Sequence, residues 1–193
     1  MSEEKDSGSG DKDELLKKGV RIFMDDVDAD SMAPLIEWIL AANMSWKKTH
    51  KELILGICSP GGNLNECFAL LDVIMGSKIP IRTVGMGMIA SCGLLMFISG
   101  TKGKRTLTPN TSILSHQYSW GSFGKEHELF ATVREYELTT ERLINHYKKC
   151  TGLDEKMIRE KLLPPSDVWL SASEAKELGI CDNIQEMGMK GTI

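Results

Sequence analysis

The chain has no long apolar run. Its most hydrophobic stretch, Met86 to Ile98, is too short to span a bilayer and is broken by Gly87, Ser91 and Gly93, so a buried strand and helix explain it better than a membrane anchor. Positive charge is not in excess either. With 23 Lys and Arg against 27 Asp and Glu, the formal net charge is -4. Nucleic acid or an anionic membrane as the main partner would call for a basic stripe, and neither is expected. The five cysteines, Cys58, Cys67, Cys92, Cys150 and Cys181, lie far apart with no Cys-x-x-Cys pair. That spacing suggests neither a disulfide framework nor a zinc site, and a reducing cytoplasm fits it best. No histidine and carboxylate cluster has metal-ligand spacing, so no catalytic metal is expected. Met1 to Lys12 contain no apolar segment of the kind a signal peptide needs.

What the chain does have is enough apolar material for one core: 193 residues, 41% of them hydrophobic. Residues 1–14 are Ser-, Gly- and charge-rich with little to bury and read as a flexible arm, leaving residues 15–193 as a single domain. Val20 to Met24 has strand character. The aspartates between Asp25 and Asp30 can cap a following helix whose Met32, Leu35, Ile36, Ile39 and Leu40 share a face, with Pro34 confined to its first turn. Leu53 to Cys58 is an apolar run of strand length that ends in Ser59-Pro60-Gly61-Gly62, and Leu64 to Met75 has helical spacing. Ile81 to Met86 repeats the theme, followed by small residues and a helix beginning near Ser91. Strand, turn, helix, strand implies an α/β fold with a parallel sheet and ligands at the carboxyl ends of its strands. Both glycine-rich turns then fall on the functional edge.

Beyond these, Arg105 to Leu107 and Ser112 to Gln117 read as short strands around the turn Thr108-Pro109-Asn110-Thr111. A long amphipathic helix can be drawn from Glu126 to Cys150, with Leu129, Val133, Tyr136, Leu143 and Tyr147 on one stripe and Gly152 as its stop. Its charged opposite face suggests that it projects, and another subunit is a plausible place for the stripe. A short helix from Asp154 to Leu162, a break at Pro164-Pro165, a helix capped near Ser171 or Ser173 and a strand around Ile180 complete the reading.

The chemistry rests on a conjunction. Ser91 sits at a strand-to-helix turn among small residues, His116 comes about 25 residues later, and Asp167 later still. A serine becomes a good nucleophile when a base takes its proton, and a carboxylate can hold that base in its useful tautomer. Each residue alone has a plainer role, as a helix cap or a satisfied polar side chain. Gly61-Gly62 is a tight turn after a strand, and its bare backbone also lets an amide approach a tetrahedral intermediate. The amide of Cys92, at a helix N-terminus, would be a second donor, whereas the Cys92 side chain reads as packing. His50, His127 and His146 lie in charged or helical surroundings and read as solvated. Gly100-Thr-Lys-Gly-Lys-Arg105 lacks the spacing of a phosphate loop and reads as a basic turn.

Ser59-Pro-Gly-Gly62, Gly87-Met-Ile-Ala-Ser-Cys-Gly93, Gly100 to Arg105, Pro109-Asn110, His116-Gln117 and Asp167 to Ile180 run in the order and nearly the spacing of a known family. From about Val20 to Ile184 the chain resembles the proteolytic subunit of the Clp protease, a ring-forming serine peptidase. The resemblance implies a crotonase-like stack of strand and helix turns, with the helix at about 126–150 as a projecting handle. It implies a Ser91, His116, Asp167 triad, with the amides of Gly62 and Cys92 as the oxyanion hole. It further implies self-assembly into heptameric rings stacked in pairs around unfolded polypeptide substrates. The subunit itself would carry no cofactor, ATP being used by a partner AAA+ unfoldase of Clp type.

In this chain Ser166 stands where the family usually has Arg, Tyr118-Ser-Trp120 comes after His-Gln where Pro is usual, and Ile54 and Gly56 replace aromatic unfoldase-docking positions. Three alternatives accompany the Clp-type reading. They are a processing protease for one dedicated substrate without the usual unfoldase, a non-catalytic ring scaffold, and a crotonase-type acyl-thioester enzyme.

Overall fold

The computed structural model describes residues 14–45 and 50–186. The charged arm lies outside the described residues, apart from Glu14. Five strands form a parallel sheet in the order β1-β2-β3-β4-β7: β1 (Val20–Phe23), β2 (Leu53–Ser59), β3 (Ile81–Ala90), β4 (Arg105–Leu107) and β7 (Asn183–Ile184). A further strand, β5 (Ser112–Ser115), runs parallel to β3 and pairs antiparallel with β6 (Val168–Ser171). The helices are α1 (Ala29–Met44), α2 (Leu64–Gly76), α3 (Cys92–Ile98), α4 (Glu126–Thr151), α5 (Glu155–Lys161) and α6 (Ala172–Glu177). The mixed α/β class expected from the sequence is what the chain adopts.

β3 organises the sheet by changing partner along its length. Thr83 to Gly85 pair with β4, and Met88 to Ala90 pair with β5. Between the two halves Gly87 has φ +62 and the register against β2 shifts between Ile57 and Ser59. A bulge of this kind bends a strand and redirects the chain beyond it, so β3 runs through the small residues to Ala90 and delivers Ser91 beyond the parallel sheet. Ile57, Leu55, Ile81, Ile89, Leu94, Met96 and Phe97 form the centre of the core. α3 is buried at every position from Cys92 to Ile98, which explains why its sequence shows no polar face.

Asp28 caps α1 in a reciprocal box with Ser31, as the aspartate cluster predicted. Pro34, however, lies in the second turn rather than the first. Its missing N–H leaves the Asp30 carbonyl without a helical partner; Asp30 is exposed, so solvent can take that carbonyl, and the Arg21 guanidinium donates to the Pro34 carbonyl at 2.7 Å. Leu40 faces out at 45% exposure, so the buried stripe of α1 is Met32, Leu35 and Ile39.

The last strand is Asn183–Ile184, a few residues beyond Ile180, which is buried in the turn after α6. β6 was not legible as a strand: its alternating half-buried and exposed residues carry little pattern, and its pairing with β5 creates it.

α4 is two structures in one helix. Its C-terminal part is anchored: Leu143, Ile144, His146 and Tyr147 are buried, and Gly152 closes it in the left-handed region at φ +83. The buried Arg105 donates to the Cys150 carbonyl at 2.8 Å while its guanidinium pairs with Asp182 at 2.7 Å. Burial alone would raise the Asp182 carboxyl, but hydrogen bonds and charge from Arg105 and the Gly103 amide hold it below its ordinary value. His146 is 8% exposed and its imidazole lies 3.2 Å from both the Ser99 hydroxyl and the Leu95 carbonyl. The solvated reading of His146 is therefore wrong: it sits on the stripe that packs against α3. The N-terminal part of α4 leaves Leu129, Phe130, Val133 and Tyr136 exposed, with Phe130 at 70%.

Candidate active site

Strand register alone brings three of the predicted residues to one end of the sheet. Ala90 pairs with Leu114, and the Ser91 amide donates to the Leu114 carbonyl at 3.0 Å, which sets Ser91 beside the end of β5. Ser115 pairs antiparallel with Val168. One step outward along that ladder, His116 meets Asp167.

Ser91 is the one non-glycine residue among those described with a positive φ, at φ 52 and ψ -119. Such a conformation is costly for an L-residue and is kept where the surroundings enforce it. Here the enforcement is visible. The residue is held between the last pair of β3 and the first turn of α3, whose Leu94 and Leu95 amides donate to the Ser91 carbonyl at 3.0 and 3.2 Å. Its neighbour across the turn is Gly61, where a Cβ would stand 2.7 Å from the Ser91 Cβ and 3.0 Å from the Cys92 nitrogen. No side chain fits between the two turns.

The Gly61-Gly62 segment is fixed from below. The Val27 amide donates to the Gly61 carbonyl at 2.7 Å, and the Asn63 amide donates to the Val27 carbonyl at 2.7 Å. The buried Ser59 hydroxyl accepts from the Gly61 amide at 3.1 Å and donates to the Asp25 carbonyl at 2.7 Å. Gly62 has φ +148, and a Cβ there would lie 2.2 Å from the Val27 oxygen. Among the described residues, neither the Gly62 amide nor the Cys92 amide donates to a backbone carbonyl. The Cys92 thiol donates to the Gly62 carbonyl at 3.3 Å, so the two residues expected to carry the oxyanion donors are in direct contact.

His116 is positioned through its neighbours. The Ser115 hydroxyl donates to the Leu162 carbonyl at 2.6 Å and the Gln117 amide group donates to the Leu163 carbonyl at 2.9 Å, which clamps the His116 backbone to the segment leading into Asp167. The His116 Nδ1 lies 3.7 Å from the Asp167 carboxylate, beyond hydrogen-bond length, and the two side chains are 30% and 63% exposed. Ser91 and His116 line one open cleft of about 520 Å³ together with Gly62, and no hydrogen bond joins them. The cleft's far wall is aromatic. Trp120 and Tyr136 stand 5.2 Å apart, Tyr118 and Tyr136 5.7 Å, and the Tyr118 hydroxyl donates to the Tyr136 carbonyl at 3.1 Å.

Sequence reasoning assigned Tyr136 to the helix stripe and did not place Glu135 or Thr139 at the cleft, which they also line. The signal was present in the short spacing from His116 to Tyr118 and Trp120, but only the return of α4 over the cleft makes a wall of it. Among the described residues, no group of three or more His, Cys, Asp or Glu could hold a metal ion, and no helix is long and apolar enough to cross a membrane.

A serine at positive φ in a strand-to-helix turn shares a cleft with a histidine that has a carboxylate behind it, which are the residue types that serine hydrolysis uses. The chain matches the family model described as Clp protease over residues 4–188. It is 33% identical over 177 residues to the ATP-dependent Clp protease proteolytic subunit 1 of Bifidobacterium longum, an alignment covering 91% of this chain and 72% of that protein. The chain belongs to the Clp protease family and is a peptidase of that kind, a family whose proteolytic subunit uses no cofactor.

Proposed function

We propose that this protein is a serine endopeptidase subunit of a Clp-type ATP-dependent protease, with Ser91 as nucleophile, His116 as general base and acid, and Asp167 as the group that orients His116. The observation that carries the reading is the convergence of the three residues at one sheet end, with Ser91 held at a positive φ against Gly61. In the first step Ser91 Oγ bonds to the peptide carbonyl carbon as His116 takes its proton. The carbonyl oxygen gains negative charge, and the Gly62 and Cys92 amides, free of backbone acceptors among the described residues, would donate to it. His116 then gives the proton to the leaving amine, and water, activated by the same histidine, releases the acyl group.

The exposed apolar side chains on the first half of α4, and Trp169 at 56% exposure beside Asp167, favour assembly with further copies of the chain. We take that assembly to be heptameric rings stacked in pairs, with α4 as the handle of a single folded domain and unfolded polypeptide as substrate. All five cysteines are free, in keeping with a cytoplasmic location.

A processing protease without the usual unfoldase is favoured by one observation. Gly56 pairs with Ile22, which is 51% exposed, and neither Ile54 nor Gly56 offers an aromatic ring on that edge. Co-purification with an AAA+ unfoldase separates the two readings.

The test of the chemistry is fluorogenic short-peptide hydrolysis by the wild type and Ser91→Ala, with light scattering on both. Activity is expected to fall at least about a thousandfold in the variant with the assembly unchanged, since the substitution deletes the nucleophile and very little volume. Equal activity in the two proteins overturns the proposal.

A further inference from the structure

From the contact between the two oxyanion residues we infer that the Cys92 thiol is a positioning residue for catalysis, holding the Gly62 peptide in place through its hydrogen bond to the Gly62 carbonyl. The inference rests on the proposed oxyanion hole of Gly62 and Cys92. It adds a role for a side chain that the sequence reading treated as packing alone.

Gly62 is otherwise held only through its neighbours, which are tied to Val27 on one side of the loop. The Gly61 carbonyl accepts from the Val27 amide and the Asn63 amide donates to the Val27 carbonyl, both at 2.7 Å. Gly62 itself has no side chain to anchor, and at φ +148 it occupies a region that only glycine adopts readily. Its carbonyl is therefore the handle by which its orientation can be set. The one group that donates to that carbonyl among the described residues is the Cys92 thiol, at 3.3 Å.

Cys92 is suited to this task. Its side chain is buried, with the residue 1% exposed, and it is the first residue of α3, so its Cβ moves rigidly with the Ser91 turn. Its own carbonyl is contacted by the Cys67 thiol at 3.6 Å from the facing helix α2. Residue 92 thus supplies one donor through its backbone and fixes the carrier of the other through its side chain. A packing residue of the same size would fill the space without coupling the two turns.

The effect should be moderate, because a thiol is a weak donor. With Cys92→Ala, kcat for short-peptide hydrolysis is expected to fall about three- to tenfold at nearly unchanged KM, the range for one hydrogen bond that acts in the transition state. Cys92→Ser, which keeps a donor, should recover at least about half of the wild-type kcat. Cys181→Ala removes a buried thiol of the same size that does not line the cleft; it should lower Tm yet leave kcat within about twofold. The rate at which a fluorophosphonate modifies Ser91, read by mass spectrometry, should track kcat across the set.

The inference is overturned if Cys92→Ala keeps the wild-type kcat, if Cys92→Ser falls as far as Cys92→Ala, or if Cys181→Ala loses as much as Cys92→Ala. A wild type that neither cleaves peptide nor takes the label on Ser91 would instead overturn the proposed function, and this inference with it.

Discussion

Ser91 and Asp167 sit at the same end of the sheet but are held in different ways. Ser91 is enclosed by its own chain: a bulged strand behind it, a wholly buried helix in front, and a glycine turn pressed against it. Asp167, 63% exposed, immediately precedes the short edge strand β6, with its carboxylate 3.7 Å from the imidazole. The Ser91 side is over-determined by tertiary contacts of the chain itself, whereas the Asp167 side has slack. The same contrast runs along α4, buried from Leu143 to Tyr147 and bare from Leu129 to Tyr136. Both loose regions are exposed to solvent, and both tight ones are packed by the chain's own elements.

Two substitutions break the comparison from opposite ends, with Ser91→Ala as the floor. Gly61→Ala places a methyl 2.7 Å from the Ser91 Cβ at a residue with φ +98, so Ser91, the Cys92 amide and the Gly62 loop must all shift. A loss in kcat of about a thousandfold is expected, comparable to losing an oxyanion donor outright. Circular dichroism and light scattering on the same sample show whether fold and assembly persist. Asp167→Asn acts on the slack end. A buried, hydrogen-bonded carboxylate in this role is worth about ten-thousandfold. For the exposed Asp167 the loss should be nearer a hundredfold, because water already competes for the imidazole. Steady-state kinetics at low and high salt sharpens the point: the wild type should lose activity with salt, and Asp167→Asn should lose less. A ten-thousandfold loss for Asp167→Asn would mean that the carboxylate is as firmly held in the working assembly as the serine is.

Legibility in the sequence divides along the same line. Apolar runs and glycine turns marked β1, β2, the start of β3 and the helices between them, since each is dictated by local pattern. The turn that carries Ser91 was legible because small residues between a strand and a helix mark a sharp strand-to-helix turn. The extension of β3 past Gly87 was not, because it depends on β3 exchanging β4 for β5 as partner. β6 was missed for a similar reason, being a strand only by virtue of its neighbour. Pro34 inside α1 shows propensity yielding to burial of Met32 and Leu35. Tyr136 was assigned to a stripe but not to the cleft, since the helical period specifies a face and not what that face meets. Trp120 and Tyr118 were visible as a departure after His116-Gln117, but their packing on Tyr136 needs the return of α4 over the site.

The smallest expected effect concerns the underside of the rigid end. His146 packs on α3, the helix whose first residues carry Ser91 and Cys92, with its imidazole against the Leu95 carbonyl and the Ser99 hydroxyl. Burial lowers its pKa, the Leu95 carbonyl and Asp72 oppose that shift, and Lys149 adds to it. A histidine with a depressed folded pKa takes up a proton more readily unfolded. Its contribution to stability is therefore present above the ordinary imidazole pKa and is lost as pH falls from there through the folded value. Chemical denaturation of the wild type should show stability declining on the acid side of neutrality, with the slope levelling once the folded form is protonated. His146→Gln, which keeps a hydrogen-bonding group but cannot titrate, should show a shallower decline, while short-peptide hydrolysis at about pH 8 stays within about threefold of wild type because the side chain lies away from the cleft. Identical slopes for the two proteins would show that His146 is protonated as easily folded as unfolded, and that the packing of α3 on α4 is looser than the buried contacts imply.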